Sequence, residues 1–276
     1  MSEERNRPAT DADRGQVNTA AAEVYESFFV PALFGQFAEA VLDHADVVAG
    51  ARVLDVGCGT GVVARAAAAR VGAGERVVGV DPNPGMLAVA ERSAPSIEWR
   101  AGTSEALPVE DRCFDHTVSQ FAAMFFTDRR EAMNEMARAT AIGGTITIAT
   151  WFGLDRTPGY AAMVALIAEE LGNEAADALR APFVLGRPED VRGLVDPIGH
   201  DVRLTESSGT ARFASLADWV HTDVQGWTLA DLVDDEQEVA LIARAEQDLA
   251  RFVSADGSVS FPAPAIIATV VVDRPD

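Results

Sequence analysis

The sequence predicts an α/β protein with a doubly wound, mostly parallel sheet. Two features carry that expectation. From about residue 50 to residue 151, short runs rich in valine and isoleucine alternate with stretches of helical period. That order builds a parallel sheet through crossover connections. The first run ends in glycines at alternate positions, Gly57, Gly59 and Gly61, and a turn of this kind can open a ligand site at the end of a parallel strand.

The elements follow in order. Residues 17–30 read as a helix with Val24, Tyr25, Phe28 and Phe29 on or near one face, and Pro31 is expected to interrupt it. Residues 33–48 form a second amphipathic helix, so 17–48 is a helical cap before the sheet. Strands are expected at 52–56, 76–80, 97–100, 115–119 and 145–150. Helices are expected at 62–71, 85–93 and 129–140, the last stopping before Gly143-Gly144. Beyond Trp151 the pattern shifts to helices at 160–171, 188–195, 215–227 and 234–252. Residues 201–205 are strand-like, with the pattern running on to Phe213, and the last β-branched strand covers 265–272. The expected organisation is a domain over 49–276 with helical lid insertions at about 155–198 and 214–255.

Composition narrows the function classes. The chain has 276 residues, with 22 Lys and Arg against 43 Asp and Glu, a net charge of −21. Such a surface repels phosphate backbones and anionic bilayers, so neither nucleic acid nor membrane is an expected partner. Cys58 and Cys113 lack metal-ligand spacing, so no metal is expected, and the pair suits a reducing compartment. Residues 1–16 carry no apolar run and read as a mobile tail rather than a leader. A cytoplasmic location is expected, and the sequence leaves the oligomeric state open.

The glycine spacing selects a ligand class. A tight turn needs one glycine, not three. The dinucleotide fingerprint places its third glycine three residues after the second; here Gly61 follows Gly59 by two, and Val62 stands where that fingerprint wants a small residue. Asp55, two residues before Gly57, suits an amino group or hydroxyls and disfavours a pyrophosphate. Asp81 ends the second strand, where a carboxylate can accept both hydroxyls of a ribose; it could also cap the helix that follows. A nucleoside without phosphates fits these residues better than NAD.

At this point the chain resembles a known family. Val53-Leu54-Asp55-Val56-Gly57-Cys58-Gly59-Thr60-Gly61 looks like the cofactor loop of class I S-adenosylmethionine-dependent methyltransferases. Val78-Gly79-Val80-Asp81-Pro82-Asn83-Pro84-Gly85-Met86-Leu87 looks like their next, acidic motif. Gly102-Thr103-Ser104-Glu105-Ala106-Leu107-Pro108, followed by Phe114-Asp115, resembles the ubiquinone/menaquinone-biosynthesis branch. The resemblance implies a seven-stranded Rossmann-like methyltransferase fold and S-adenosylmethionine as cofactor, S-adenosylhomocysteine as product, and a small-molecule methyl acceptor. It implies that Gly57, Cys58 and Gly59, in the loop closed by Gly61, pass close to the methionine and ribose. Asp55 would orient the methionine amino group, Asp81 would hold the ribose, and Pro82 and Met86 would flank the adenine. Thr103 and Ser104 would face the adenine edge, and Gln120 would lie near the methionine. Thr103 departs from the family's common Asp; a neutral hydroxyl is a weaker acceptor than a carboxylate, so looser cofactor binding is expected.

Methyl transfer from a sulfonium is an in-line displacement that needs alignment and dryness more than acid–base groups, although an oxygen nucleophile would want a base. Tyr25 and Phe28 could favour the sulfonium by cation–π attraction or could simply pack the helix on the core. On the helix over 215–227, Leu216, Trp219, Val220, Val224 and Trp227 make an apolar stripe with Asp223 near its middle. Trp219 and Asp223 are therefore lid or substrate candidates, and Asp223 is the one catalytic candidate; a buried pair or a helix end would also account for that carboxylate. An NAD(P)-dependent oxidoreductase is disfavoured by the glycine spacing, and a non-catalytic cofactor-binding module remains the other alternative.

Overall fold

The structure is a computed structural model that describes residues 19–74, 76–225, 229 and 233–273. The tail expected over 1–16, and Trp227 of the apolar stripe, lie outside the described residues.

Among the described residues, seven strands form one sheet in the order β3-β2-β1-β4-β5-β9-β6. They are β1 (Val53–Val56), β2 (Val77–Asp81), β3 (Glu98–Ala101), β4 (Phe114–Gln120), β5 (Thr140–Trp151), β6 (Gly199–Ser207) and β9 (Ala265–Val272). Strands β1 to β5 pair in parallel, and β9 runs antiparallel to both β5 and β6. Every residue of β1 and β2 is buried, which is why these strands read as continuous apolar runs rather than alternating ones. Helices α3 (Val62–Val71), α4 (Pro84–Ser93) and α5 (Arg129–Ala139) connect the parallel strands.

The N-terminal region differs from its expectation. Helix α1 (Thr19–Val24) runs straight into a π-helical segment, Tyr25–Phe34, a short 3₁₀ turn, Gly35–Phe37, and α2 (Ala38–His44). Pro31 does not break the helix. Proline lacks an N–H and crowds the carbonyl four residues back; the wider turn relieves the crowding, and Gly35 N–H donates to Val30 O, five residues earlier.

Two further differences have local causes. Strand β5 begins at Thr140, so Gly143 and Gly144 lie within it rather than before it. The register with β4 shifts at this place, and a Cβ at Gly144 would sit 2.4 Å from Asp115 O, so only glycine fits. The pattern that ran from β6 to Phe213 is broken at Gly209, which packs on Phe37 and Ala263. Thr210–Phe213 is a separate strand, β7, paired with β8 (Val259–Pro262) in a two-stranded sheet. Helices α6 (Pro158–Glu170), α7 (Asn173–Arg180) and α8 (Pro188–Val195) lie between β5 and β6. Helices α9 (Leu216–Gln225) and α10 (Asp235–Asp248) lie between β7 and β8.

Candidate cofactor site

The sheet order reverses between β1 and β4, and a cavity of about 440 Å³ opens there at the carboxyl ends of the strands. This is where open parallel sheets bind ligands, because the connections on either side of the switch point diverge. Of the residues singled out in the sequence as cofactor-binding, Asp55, Gly57, Cys58, Gly59, Asp81, Pro82, Met86, Thr103, Ser104 and Gln120 line the cavity. Gly61 does not. It stands at φ +88° just before α3, and a Cβ there would meet Trp99 at 2.3 Å. Its role is to let the chain turn beneath the Trp99 ring, which also covers Gly79.

Hydrogen bonds tie the loop to the neighbouring strand. Gly57 N–H donates to Val80 O at 2.8 Å and Cys58 N–H to the same carbonyl at 3.1 Å. Gly59 N–H donates to Asp81 Oδ2 at 2.8 Å, and Asn83 N–H donates to Asp81 Oδ1 at 2.8 Å. The cap of α4 is Asn83 rather than Asp81: its side-chain oxygen accepts from Gly85 and Met86 N–H. Asp55 Oδ2 accepts from Ala64 N–H at 3.0 Å, inside the first turn of α3, where a carboxylate also meets the positive end of the helix.

Both carboxyls are almost wholly removed from water. Burial raises Asp55 to about 7, with the Ala64 N–H opposing it and the neighbouring Asp81 charge adding to it. Burial likewise raises Asp81 to about 6, against the pull of its two backbone donors. Burial pushes up the Cys58 thiol and the Tyr25 hydroxyl as well, so both are neutral near pH 7. Among the described residues, none that lines the cavity is Lys or Arg.

Gln120 ends β4. Its Nε2 donates to Phe34 O at 3.3 Å, while its Oε1 is buried with no hydrogen-bond partner. An orphaned buried acceptor on a cavity wall is costly unless a ligand donor meets it. The next residue, Phe121, has φ +54° although it is not glycine. Its ring stacks on Trp151 at 3.6 Å between centroids, and packing of this kind can hold a residue in a sparsely populated conformation. Tyr25 reaches the same wall and stacks on Phe34 at 5.0 Å.

The other lid candidates lie elsewhere. Phe28 is 38% exposed and meets the edge of His221 on α9. Trp219 is fully buried among Phe213, Phe252 and Phe261. Asp223 is 1% exposed and is not on the cavity wall. Neither of its carboxyl oxygens has a partner in hydrogen-bond geometry, and burial raises it well above the ordinary carboxylate range. Asp223 therefore stands on α9, buried and away from the cavity wall. Sequence reasoning assigned no roles to Glu105, Phe121, Phe125 and Phe126, which line the cavity, nor to Trp99. The face that each of these rings presents is set by tertiary packing, not by local sequence period.

Comparison with known proteins agrees with this geometry. A family described as "Methyltransferase domain" matches residues 53–144, the segment from β1 into β5 that builds most of the cavity. The match covers these residues and not the rest of the chain. Among particular relatives, the demethylmenaquinone methyltransferase of Renibacterium salmoninarum is 38% identical over 121 residues, covering 42% of this chain and 50% of that protein. The ubiquinone/menaquinone biosynthesis C-methyltransferase of Xylella fastidiosa is 37% identical over 122 residues, covering 39% and 48%. The chain thus spans about half the length of these curated relatives. The solved phosphoethanolamine N-methyltransferase 2 of Haemonchus contortus, in complex with phosphomonomethylethanolamine and S-adenosylhomocysteine, superposes with a TM-score of 0.62 at 18% identity, covering 98% of this chain and 61% of that one. That likeness establishes the fold.

Proposed function

We propose that this chain binds S-adenosylmethionine in the cavity and transfers its methyl group to a small-molecule acceptor. The observation that carries the reading is the chemistry of the wall: two buried carboxyls and an unpartnered Gln120 oxygen, with no Lys or Arg among the described residues that line it. A pyrophosphate there would face carboxylates with nothing to balance its charge, whereas a cationic nucleoside finds an acceptor for each of its donors.

S-adenosylmethionine supplies a methyl group on a positively charged sulfur. Asp81 holds the ribose: each carboxyl oxygen accepts one backbone N–H and keeps a lone pair for a hydroxyl. Asp55 and Gln120 Oε1 serve the ammonium end. Thr103 and Ser104 serve the adenine, with Met86 and Pro82 beside it. The rings of Tyr25 and Phe121 exclude water and present aromatic surface to positive charge. With Tyr25 and Cys58 held neutral, the site offers alignment rather than a strong base, which favours an acceptor whose nucleophile needs little activation.

The matched segment ends at residue 144, before α6 begins. The relatives' named quinone substrates are therefore a weaker guide to this acceptor than their chemistry is, and we take the acceptor to be a small, rather apolar molecule. The test is a thermal-shift series with S-adenosylmethionine, S-adenosylhomocysteine and NADH, followed by a mass-spectrometric screen for methylated products. Stabilisation by the two sulfur nucleosides and a product heavier by one methylene support the reading. Stabilisation by NADH alone would overturn it.

A further inference from the structure

The N-terminal segment contributes Tyr25 to the cavity wall, and one side chain links that segment to the glycine loop. Arg65 stands in the first turn of α3. Its Nη1 donates to Thr60 O at 2.6 Å, within the glycine loop. Its Nη2 donates to Glu26 Oε1 at 2.8 Å, on the π-helical segment beside Tyr25. Both side chains are about three-quarters withdrawn from solvent, at 25% and 26% exposure, and the second carboxylate oxygen of Glu26 is buried without a hydrogen-bond partner. A contact of this kind is far less screened than the exposed pair between Glu23 and Arg92, each 57% exposed, which joins the same segment to α4.

The carbonyl that Arg65 grips sits between Gly59, at φ +54°, and Gly61, at φ +88°. Holding Thr60 O fixes the peptide plane between Thr60 and Gly61, in a loop whose flanking glycines have little conformational preference of their own. Around the same segment, Ala22 and Tyr25 pack with Met86 and Val89 of α4, and Phe28 meets His221 of α9. The strap therefore touches the glycine loop, the cavity wall and the lid.

We propose that Arg65 is a positioning residue: it locks the segment 19–34 onto the glycine loop, so that ordering of the loop and closure of the cavity by Tyr25 are a single coupled event. The inference rests on reading the cavity as the S-adenosylmethionine site. A guanidinium suits the task because its planar fork donates in two directions at once; a lysine at this position can satisfy only one of the two acceptors well.

The test compares the full-length wild type with Arg65→Met, Arg65→Lys, Glu26→Gln and the double variant Arg65→Met/Glu26→Gln. The readouts are S-adenosylhomocysteine titration calorimetry and amide hydrogen exchange of residues 19–34 with and without that ligand. Arg65→Met should weaken the ligand roughly tenfold or more, the scale of a lost charge-assisted hydrogen bond, and should speed exchange in 19–34 while ligand no longer slows it. Arg65→Lys should fall between, and the double variant should be no worse than Arg65→Met, since both changes break one linkage. Unchanged affinity together with unchanged exchange in Arg65→Met overturns the proposal. If that variant does not fold, Glu26→Gln takes its place: weaker binding with faster exchange upholds the lock, and no change in either removes it. If the wild type binds no S-adenosylhomocysteine, the cofactor reading fails by itself. Exchange of the ligand-free proteins then decides the lock: faster in the variants upholds it for some other ligand, unchanged removes it.

Discussion

Asp81 holds two loops before any ligand arrives. Its oxygens accept from Gly59 and Asn83, so one carboxyl joins the glycine loop to the start of α4. The cost of burying it is met partly by those donors, and it is raised less than Asp55, which has a single backbone donor. Thr103 is the opposite case. It is exposed on the cavity rim and bridges to Ala106 in a short antiparallel contact. A carboxylate there would accept more strongly from an adenine amino group than a hydroxyl does, and exposure would limit both its desolvation cost and its gain. Thr103→Asp is expected to tighten S-adenosylhomocysteine by about two- to fivefold, since charged acceptors gain up to roughly 1 kcal/mol over neutral ones. Titration calorimetry checks this, and equal or weaker binding would refute it.

The glycine loop works because its neighbours leave different amounts of room. A Cβ on Gly57 would lie 2.4 Å from the Cβ of Ala122, whereas one on Gly59 would meet nothing within 4 Å. Both residues have positive φ, 69° and 54°. Gly59→Ala should therefore cost only about 1–2 kcal/mol of backbone strain, while placing a methyl group on the cavity wall that Gly59 lines. Gly57→Ala adds overlap between methyl groups in a packed wall and should cost about 1–3 kcal/mol more. Urea denaturation of the two variants separates them, and equal destabilisation would contradict the difference in room. The π-helical segment is governed by equally local constraints. Pro31 withdraws a donor, the turn widens, and the helical phase changes, so that Tyr25 lines the cavity while Phe28, less than one turn on, meets His221 of α9.

Across the whole molecule, the cavity concentrates negative charge in a protein that already carries −21. Asp55 and Asp81 hold their protons to about 7 and about 6, although their ordinary value is 3.8. Between that value and those two, the native state keeps protons that the unfolded chain has lost. The part of the ligand-free protein's stability due to these groups therefore falls as pH rises through this window and levels off above about 7. Binding a cationic ligand runs the other way, because the carboxyls must give up their protons. Affinity for S-adenosylhomocysteine, through its ammonium group, should be flat above about pH 7.5 and weaken below 7, approaching about tenfold per pH unit for each proton released. Asp55→Asn should flatten the upper part of that profile. Calorimetry from pH 5.5 to 8 checks both, and affinity independent of pH would exclude ionised carboxyls as the ammonium's partners.

The sequence alone determined the alternating core, the glycine loop and the positions of Asp55, Asp81, Thr103, Ser104 and Gln120, because each depends on spacing within one strand–turn–helix unit. It also placed Asp223 on a buried stripe, since helical period is a local property. Only the tertiary structure decided that Asp223 is buried on α9 away from the cavity wall, that Gly61 packs beneath Trp99 rather than lining the cavity, and that Arg65 joins Glu26 to Thr60. Those outcomes depend on which elements meet across the switch point. Sequence period assigns a residue to a face of its own helix or strand, but the partner of that face is chosen when the whole chain packs.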